Sequence, residues 1–127
     1  MPQVHMISIV DDDGSVREAT KGLVRSLGYM AATFGSAEEF LQSERVHDTS
    51  CLIADVQMPG LSGVDLQNRL IADGNRTPII FMTAFPSEKI RARVLNAGAF
   101  GFLAKPFDEK NLIACLDRAL TRDRAKS

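Results

Sequence analysis

The sequence has 127 residues, 45% of them apolar and 24% charged, with a formal net charge of −1. That length suits one domain with a single core, and the near-zero charge excludes a nucleic-acid surface spread over the whole domain. Its apolar runs, such as Pro78 to Phe81, are too short to span a bilayer.

In chain order, Val4 to Val10 is a short β-branched run ended by acidic residues, which predicts a strand. From Ser15 to Leu27, Val16, Ala19, Leu23, Val24 and Leu27 recur at helical spacing, and Gly28 stands where a glycine stops a helix. Met30 to Phe34 reads as a second strand. Ser36-Ala-Glu-Glu39 reads as a capping box opening the helix that carries Phe40 and Leu41. Cys51 to Ala54 is the third strand, and a helix from about Val64 to Asp73 ends at Gly74. Ile79 to Met82 is the fourth strand, followed by a helix from Ser87 to Asn96 that stops at Gly98. Gly101 to Ala104 is the fifth strand. Asp108 caps a last helix with Leu112, Ile113, Leu116 and Leu120 on one face. The stretch Thr121 to Ser127 is a polar tail expected to fray, or the start of a linker, so the domain is drawn as residues 1–122 with 123–127 as tail.

Strand and helix thus alternate five times. Short continuous apolar strands alternating with amphipathic helices imply a parallel sheet covered on both faces. Right-handed crossovers then bring every strand's carboxyl end to one edge, where open α/β sheets bind ligands. Asp11, Asp12, Asp55, Thr83 and Lys105 all stand at strand ends and therefore meet there. One strand-end aspartate is ordinarily a helix cap, a role that suits Asp13. Capping does not account for the others. Two carboxylates held ~4 Å apart at an effective dielectric near 20 repel by about 4 kcal/mol, so the cluster calls for cations beyond Lys105. A divalent ion on oxygen ligands and water fits, and Mg²⁺ suits few carboxylates plus a phosphate. Asp55, with the turn residues Pro59, Gly60 and Gly63 in the loop behind it, is then placed as a carboxylate nucleophile for a phosphoryl group. Lys105 would neutralise the phosphoryl oxygens, and the Thr83 hydroxyl would donate to them.

The motifs Ile9-Val-Asp-Asp-Asp13, Asp55-Val-Gln-Met-Pro-Gly60, Thr83-Ala84 and Lys105-Pro-Phe107, in that order and spacing, resemble a response-regulator receiver domain of bacterial two-component systems. Ser36-Ala-Glu-Glu-Phe-Leu41 and Phe102-Leu-Ala-Lys-Pro-Phe107 resemble the FixJ-type branch. The resemblance implies a flavodoxin-like, doubly wound (βα)5 fold with strand order 2-1-3-4-5. It implies Asp55 as phosphoacceptor, and Asp12 as the principal acidic Mg²⁺ ligand with Asp11 assisting through water. The Gln57 backbone carbonyl would complete the metal site, Thr83 and Phe102 would form the switch pair, and Lys105 would contact the phosphoryl group beside a cis bond to Pro106. It implies a histidine kinase as phosphodonor, slow self-hydrolysis rather than turnover of a foreign substrate, and a remodelled surface of the fourth helix, fifth strand and fifth helix used for self-association. Phe102 departs from the tyrosine often found there, so its rotamer signals through shape alone. Phe85, two residues after Thr83, is expected to shield the site from water.

A haloacid-dehalogenase-type phosphatase would need a second aspartate where Gln57 stands, and no phosphate-binding glycine motif follows a strand. A receiver-like module working by protein contact without phosphorylation remains the alternative, but the acidic cluster, threonine and lysine it could dispense with are all present. Cys51 and Cys115 lack metal-ligand spacing and read as buried thiols. With no basic and apolar leader in Met1 to His5, the expected location is the cytoplasm.

Overall fold

A computed structural model describes residues 4–126, with side chains through residue 121; Met1 to Gln3 and Ser127 lie outside the described residues. The strands are β1 (Met6–Val10), β2 (Met30–Phe34), β3 (Cys51–Asp55), β4 (Ile79–Thr83) and β5 (Gly101–Ala104). The helices are α1 (Gly14–Ser26), α2 (Ala37–Gln42), α3 (Gly63–Ala72), α4 (Glu88–Asn96) and α5 (Glu109–Lys126). The strands form one parallel sheet in the order β2-β1-β3-β4-β5, the expected doubly wound arrangement.

Period-two alternation divides the apolar residues between two cores. Ile7, Ile9, Cys51, Ile53, Ile80 and Met82 pack against Val24, Leu112, Leu116 and Leu120, beneath α1 and α5. Val10, Leu52, Ala54 and Phe81 face the other way, against Phe40, Leu66, Leu70 and Val94 of α2, α3 and α4. A strand buried on both faces must be apolar throughout, which is why β3 and β4 read as continuous runs. Both cysteines are buried thiols.

The buried stripe of α1 differs from the expected one. Ala19 is exposed and Leu27 is 37% exposed, while Thr20 is buried. Val16, Thr20, Leu23 and Val24 follow the i, i+4, i+7, i+8 spacing. Thr20 can enter the core because its hydroxyl donates to Val16 O at 2.7 Å, which satisfies its polar group locally.

Capping also redistributes. Ser36 Oγ accepts from Glu39 N at 3.1 Å, but the Glu39 carboxylate accepts from Gly35 N and the Ser36 hydroxyl rather than from Ser36 N, which would close the box. A complete capping box opens α3 instead, with Ser62 Oγ accepting from Asp65 N and Asp65 Oδ2 accepting from Ser62 N. A 3-10 turn at Glu44–His47, which periodicity does not reveal, links α2 to β3. α5 runs to Lys126, so its backbone includes most of the expected polar tail. Among the described residues no helix is long and apolar enough to cross a membrane.

Candidate functional site

Each functional side chain is delivered by a strand end. β1 stops at Val10 and the chain turns through three aspartates into α1. Asp13 caps that helix, its Oδ1 accepting from Ser15 N at 2.9 Å and Val16 N at 3.3 Å. Asp11 is buried and Asp12 exposed. Asp13 N donates to Asp11 Oδ1 at 2.9 Å. Arg17 Nη1 donates to the Asp11 carbonyl at 2.6 Å, which ties this turn to α1.

Asp55 ends β3 at 6% exposure, which makes it a nearly dry carboxylate. Gln57 N donates to its Oδ1 at 3.2 Å and Lys105 Nζ to its Oδ2 at 3.1 Å. Gly63 packs so closely on the Asp55 backbone carbonyl that a Cβ there would overlap it, so the loop from Val56 to Ser62 folds tightly over the strand end. Gly63 N closes that loop by donating to Val56 O at 2.8 Å.

Lys105 lies just beyond β5, its cis bond to Pro106 present as expected. Its Nζ stands 2.8 Å from Asp11 Oδ2 and 3.1 Å from Asp55 Oδ2, forming an ammonium bridge between two buried carboxylates. The contact with Asp11 is a charge pair without aligned hydrogen-bond geometry, so Asp11 Oδ2 is buried with its hydrogen-bonding capacity unspent. Carboxylate oxygens of Asp11, Asp12 and Asp55 lie within 4.8 Å of one another. Hard oxygen donors, an underused buried oxygen and an exposed third carboxylate fit a small divalent cation that keeps part of its water.

Burial raises the Asp55 pKa above the ordinary aspartate value, and Asp11's charge adds to the rise; Lys105 and the Gln57 amide oppose it without cancelling it. Burial works to lower the Lys105 pKa, but its close contact with the Asp11 carboxylate, its hydrogen bond to Asp55 and the charges of both together carry it above the usual lysine value. The ammonium is thus held charged, while Asp55 is a carboxylate under electrostatic load.

Thr83 ends β4, is 1% exposed, and its Oγ1 accepts from Phe85 N at 3.0 Å. That bond leaves the hydroxyl proton able to be donated elsewhere. Phe102 is half-buried against the α2–α4 core and also lines the notch formed by Pro86, Ser87, Glu88 and Arg91. The expected shield differs: the Phe85 ring is 72% exposed, the placement of a ring directed to solvent rather than one covering the carboxylates.

The strand ends therefore gather Asp11, Asp12, Asp55, Thr83 and Lys105 at one edge, with Gln57 joined through its amide. Sequence reading missed Arg17, because a side chain bonding a backbone carbonyl leaves no pattern of residue types. It also missed Gly63's contact, although the glycine itself was visible. A cavity of about 290 Å³ lined by Leu70, Ile71, Pro78, Ile79 and Ala99 lies by the start of β4, at the sheet's opposite edge, and its walls hold no carboxylate.

Comparison with known proteins agrees with this geometry. The sequence pattern of the response regulator receiver domain matches residues 7–117. Nodulation protein W of Bradyrhizobium diazoefficiens is 40% identical over 121 residues, covering 95% of this chain and 53% of its own. Response regulator protein TmoT of Ectopseudomonas mendocina is 41% identical over 118 residues, covering 93% and 54%. Transcriptional regulatory protein FixJ of Azorhizobium caulinodans is 35% identical over 122 residues, covering 96% and 58%. The chain thus spans about half the length of these relatives. The solved structure of response regulator StyR superposes with a TM-score of 0.88 at 38% identity, over 98% of this chain and 65% of that one. A receiver domain protein from Clostridium thermocellum, 24% identical, shares the fold with a TM-score of 0.90 over 98% of this chain and all of that one. The chain belongs to the response regulator receiver domain family, the signalling domains of phosphorelay systems.

Proposed function

We propose that Asp55 accepts a phosphoryl group from a histidine kinase and that the resulting acyl phosphate drives the switch. The observation that carries this reading is the burial of Asp55 beside Asp11, with one lysine bridging both. An Asp55 carboxylate oxygen attacks phosphorus, the bond from phosphorus to the donor histidine nitrogen breaks, and that nitrogen keeps the electron pair. With a small acyl phosphate, the leaving group is the corresponding carboxylate. Transfer of this kind needs alignment and charge neutralisation above all. Lys105, already 3.1 Å from Asp55, neutralises one phosphoryl oxygen, and the Thr83 hydroxyl donates to another. Asp11, Asp12, Asp55 and the Gln57 carbonyl would hold Mg²⁺, which supplies charge neutralisation at the phosphoryl oxygens.

Thr83 moves inward to reach the phosphoryl group, and Phe102 fills the space it vacates. Burying a phenyl ring contributes about 1.5–3 kcal/mol, enough to shift a two-state balance by one or two decades. The surface of α4, β5 and α5 changes with it, and we assign phosphorylation-enhanced self-association to that face. Residues 1–122 form the receiver unit of a cytoplasmic regulator, with 123–127 as tail or the start of a linker.

Incubation with acetyl phosphate and Mg²⁺ should add one phosphoryl mass that hydroxylamine removes. Asp55→Asn should abolish the label with the fold intact. A label on His5, His47 or a serine would overturn the assignment.

A further inference from the structure

Glu38 stands in the first turn of α2 yet bonds across the fold. Its Oε2 accepts from Leu61 N at 3.2 Å, 23 residues away. Its Oε1 is buried and has no hydrogen-bond partner. The chain makes room for this carboxylate at Gly60, whose φ of 77° suits glycine and where a Cβ would collide with Glu38 Oε2. A half-buried carboxylate with one buried oxygen left unsatisfied is a poor choice for packing alone, because that desolvated oxygen goes without compensation. It is a good choice for gripping one backbone amide firmly, since a charged acceptor makes the stronger bond. The first turn of a helix also favours negative charge.

The gripped segment is the loop from Val56 to Ser62. It begins at the residue after Asp55 and contains Gln57, whose amide already bonds the Asp55 carboxylate. At its far end the loop is fixed by Gly63 N on Val56 O and by the capping box of α3. Leu61 packs its side chain against the α2–α4 core. Glu38 supplies the remaining attachment, from the opposite side and through the backbone.

We propose that Glu38 is a positioning residue: by holding Leu61 N it sets the loop that presents Gln57 to the phosphorylation site, and so tunes cation binding at Asp11, Asp12 and Asp55. This rests on the reading of that cluster as a Mg²⁺ site. Outer-shell hydrogen bonds of this kind commonly change metal affinity by about tenfold or more.

Titration with MgCl2, followed by the amide resonances of Asp12 and Gln57, tests it without any phosphorylation. Glu38→Ala should weaken Mg²⁺ binding roughly tenfold and speed hydrogen exchange at Leu61 N by a similar factor. Glu38→Gln keeps an acceptor oxygen and should stay within about twofold of the parent in both measurements. Glu39→Ala, which loosens the cap of α2 at Gly35, should leave Mg²⁺ affinity unchanged and so separates positioning from mere helix stability. Should Glu38→Ala not fold, Glu38→Leu fills the space without an acceptor and carries the same comparison. If the parent chain binds no Mg²⁺, the metal-site reading itself fails. If the parent binds and the acceptor-less variants bind equally well, the role of Glu38 is overturned. An unprotected Leu61 amide in the parent would overturn it too.

Discussion

Asp55 is deprived of water, faces Asp11, and depends on Lys105 to remain charged. Its pKa is higher in the folded state than in the unfolded chain, so ionising it weakens folding as pH rises from the unfolded aspartate value through the folded one. Above that window the penalty is fully present. Asp55→Asn should therefore raise the melting temperature at pH 7 by a few degrees while abolishing acyl-phosphate labelling, measurable by calorimetry and intact mass. The direction is the same for Lys105: its raised pKa gives stability that is complete below the unfolded lysine value and lost as pH rises through the higher folded value. Without Mg²⁺ the Asp55 carboxyl, followed by its carbon resonance, should titrate at a midpoint above the usual aspartate value, and Mg²⁺ should move that midpoint down, because a cation favours the ionised form. Phe85→Gly should change the acyl-phosphate lifetime by less than about twofold, as a ring exposed to solvent excludes little water. A several-fold faster decay would mean that the ring turns inward on phosphorylation.

Among the elements, α3 carries the complete capping box, and its first residue touches Asp55 through Gly63. Ser62→Ala should cost about 1 kcal/mol by chemical denaturation. Gly63→Ala should be worse, since the added carbon meets backbone rather than a yielding side chain, and labelling should fall with stability. The inner strands β1, β3 and β4 were legible in sequence because both faces are buried and apolar runs have no other use in a short parallel strand. Helix faces were less so. On α1 the pattern of apolar letters selected Ala19 over Thr20, because a residue's own backbone hydrogen bond is invisible to hydropathy. The α3 box escaped because its closing residue is Asp65, where glutamate or glutamine gives the familiar signal. Asp11, Asp12, Asp55, Thr83 and Lys105 could be placed together from topology alone. Arg17 and Glu38 could not, since each acts on a main-chain atom that any residue type would offer.

At the level of the whole molecule, ligand binding and folding are linked. Mg²⁺ at ten times its dissociation constant should stabilise the fold by about 1.4 kcal/mol if it binds only the folded chain, and Asp12→Ala should remove that increment. Sedimentation of the phosphorylated chain should show more self-association than the unphosphorylated form, and Thr83→Ala should uncouple association from labelling. Equal sedimentation of both forms up to high micromolar concentration would point to a different protein as the target.

The strand order has a mechanical consequence for this chemistry. Asp11 follows β1 and Asp55 ends β3, strands laddered on both sides, so the anionic half of the site is clamped in the middle of the sheet. Lys105 follows β5, a border strand joined to β4 alone and latched at its end by Lys105 N on Thr83 O at 2.8 Å. Anvil and jaw are thus mounted differently: shifting the cation sacrifices hydrogen bonds along one seam, whereas shifting either buried carboxylate would tear two.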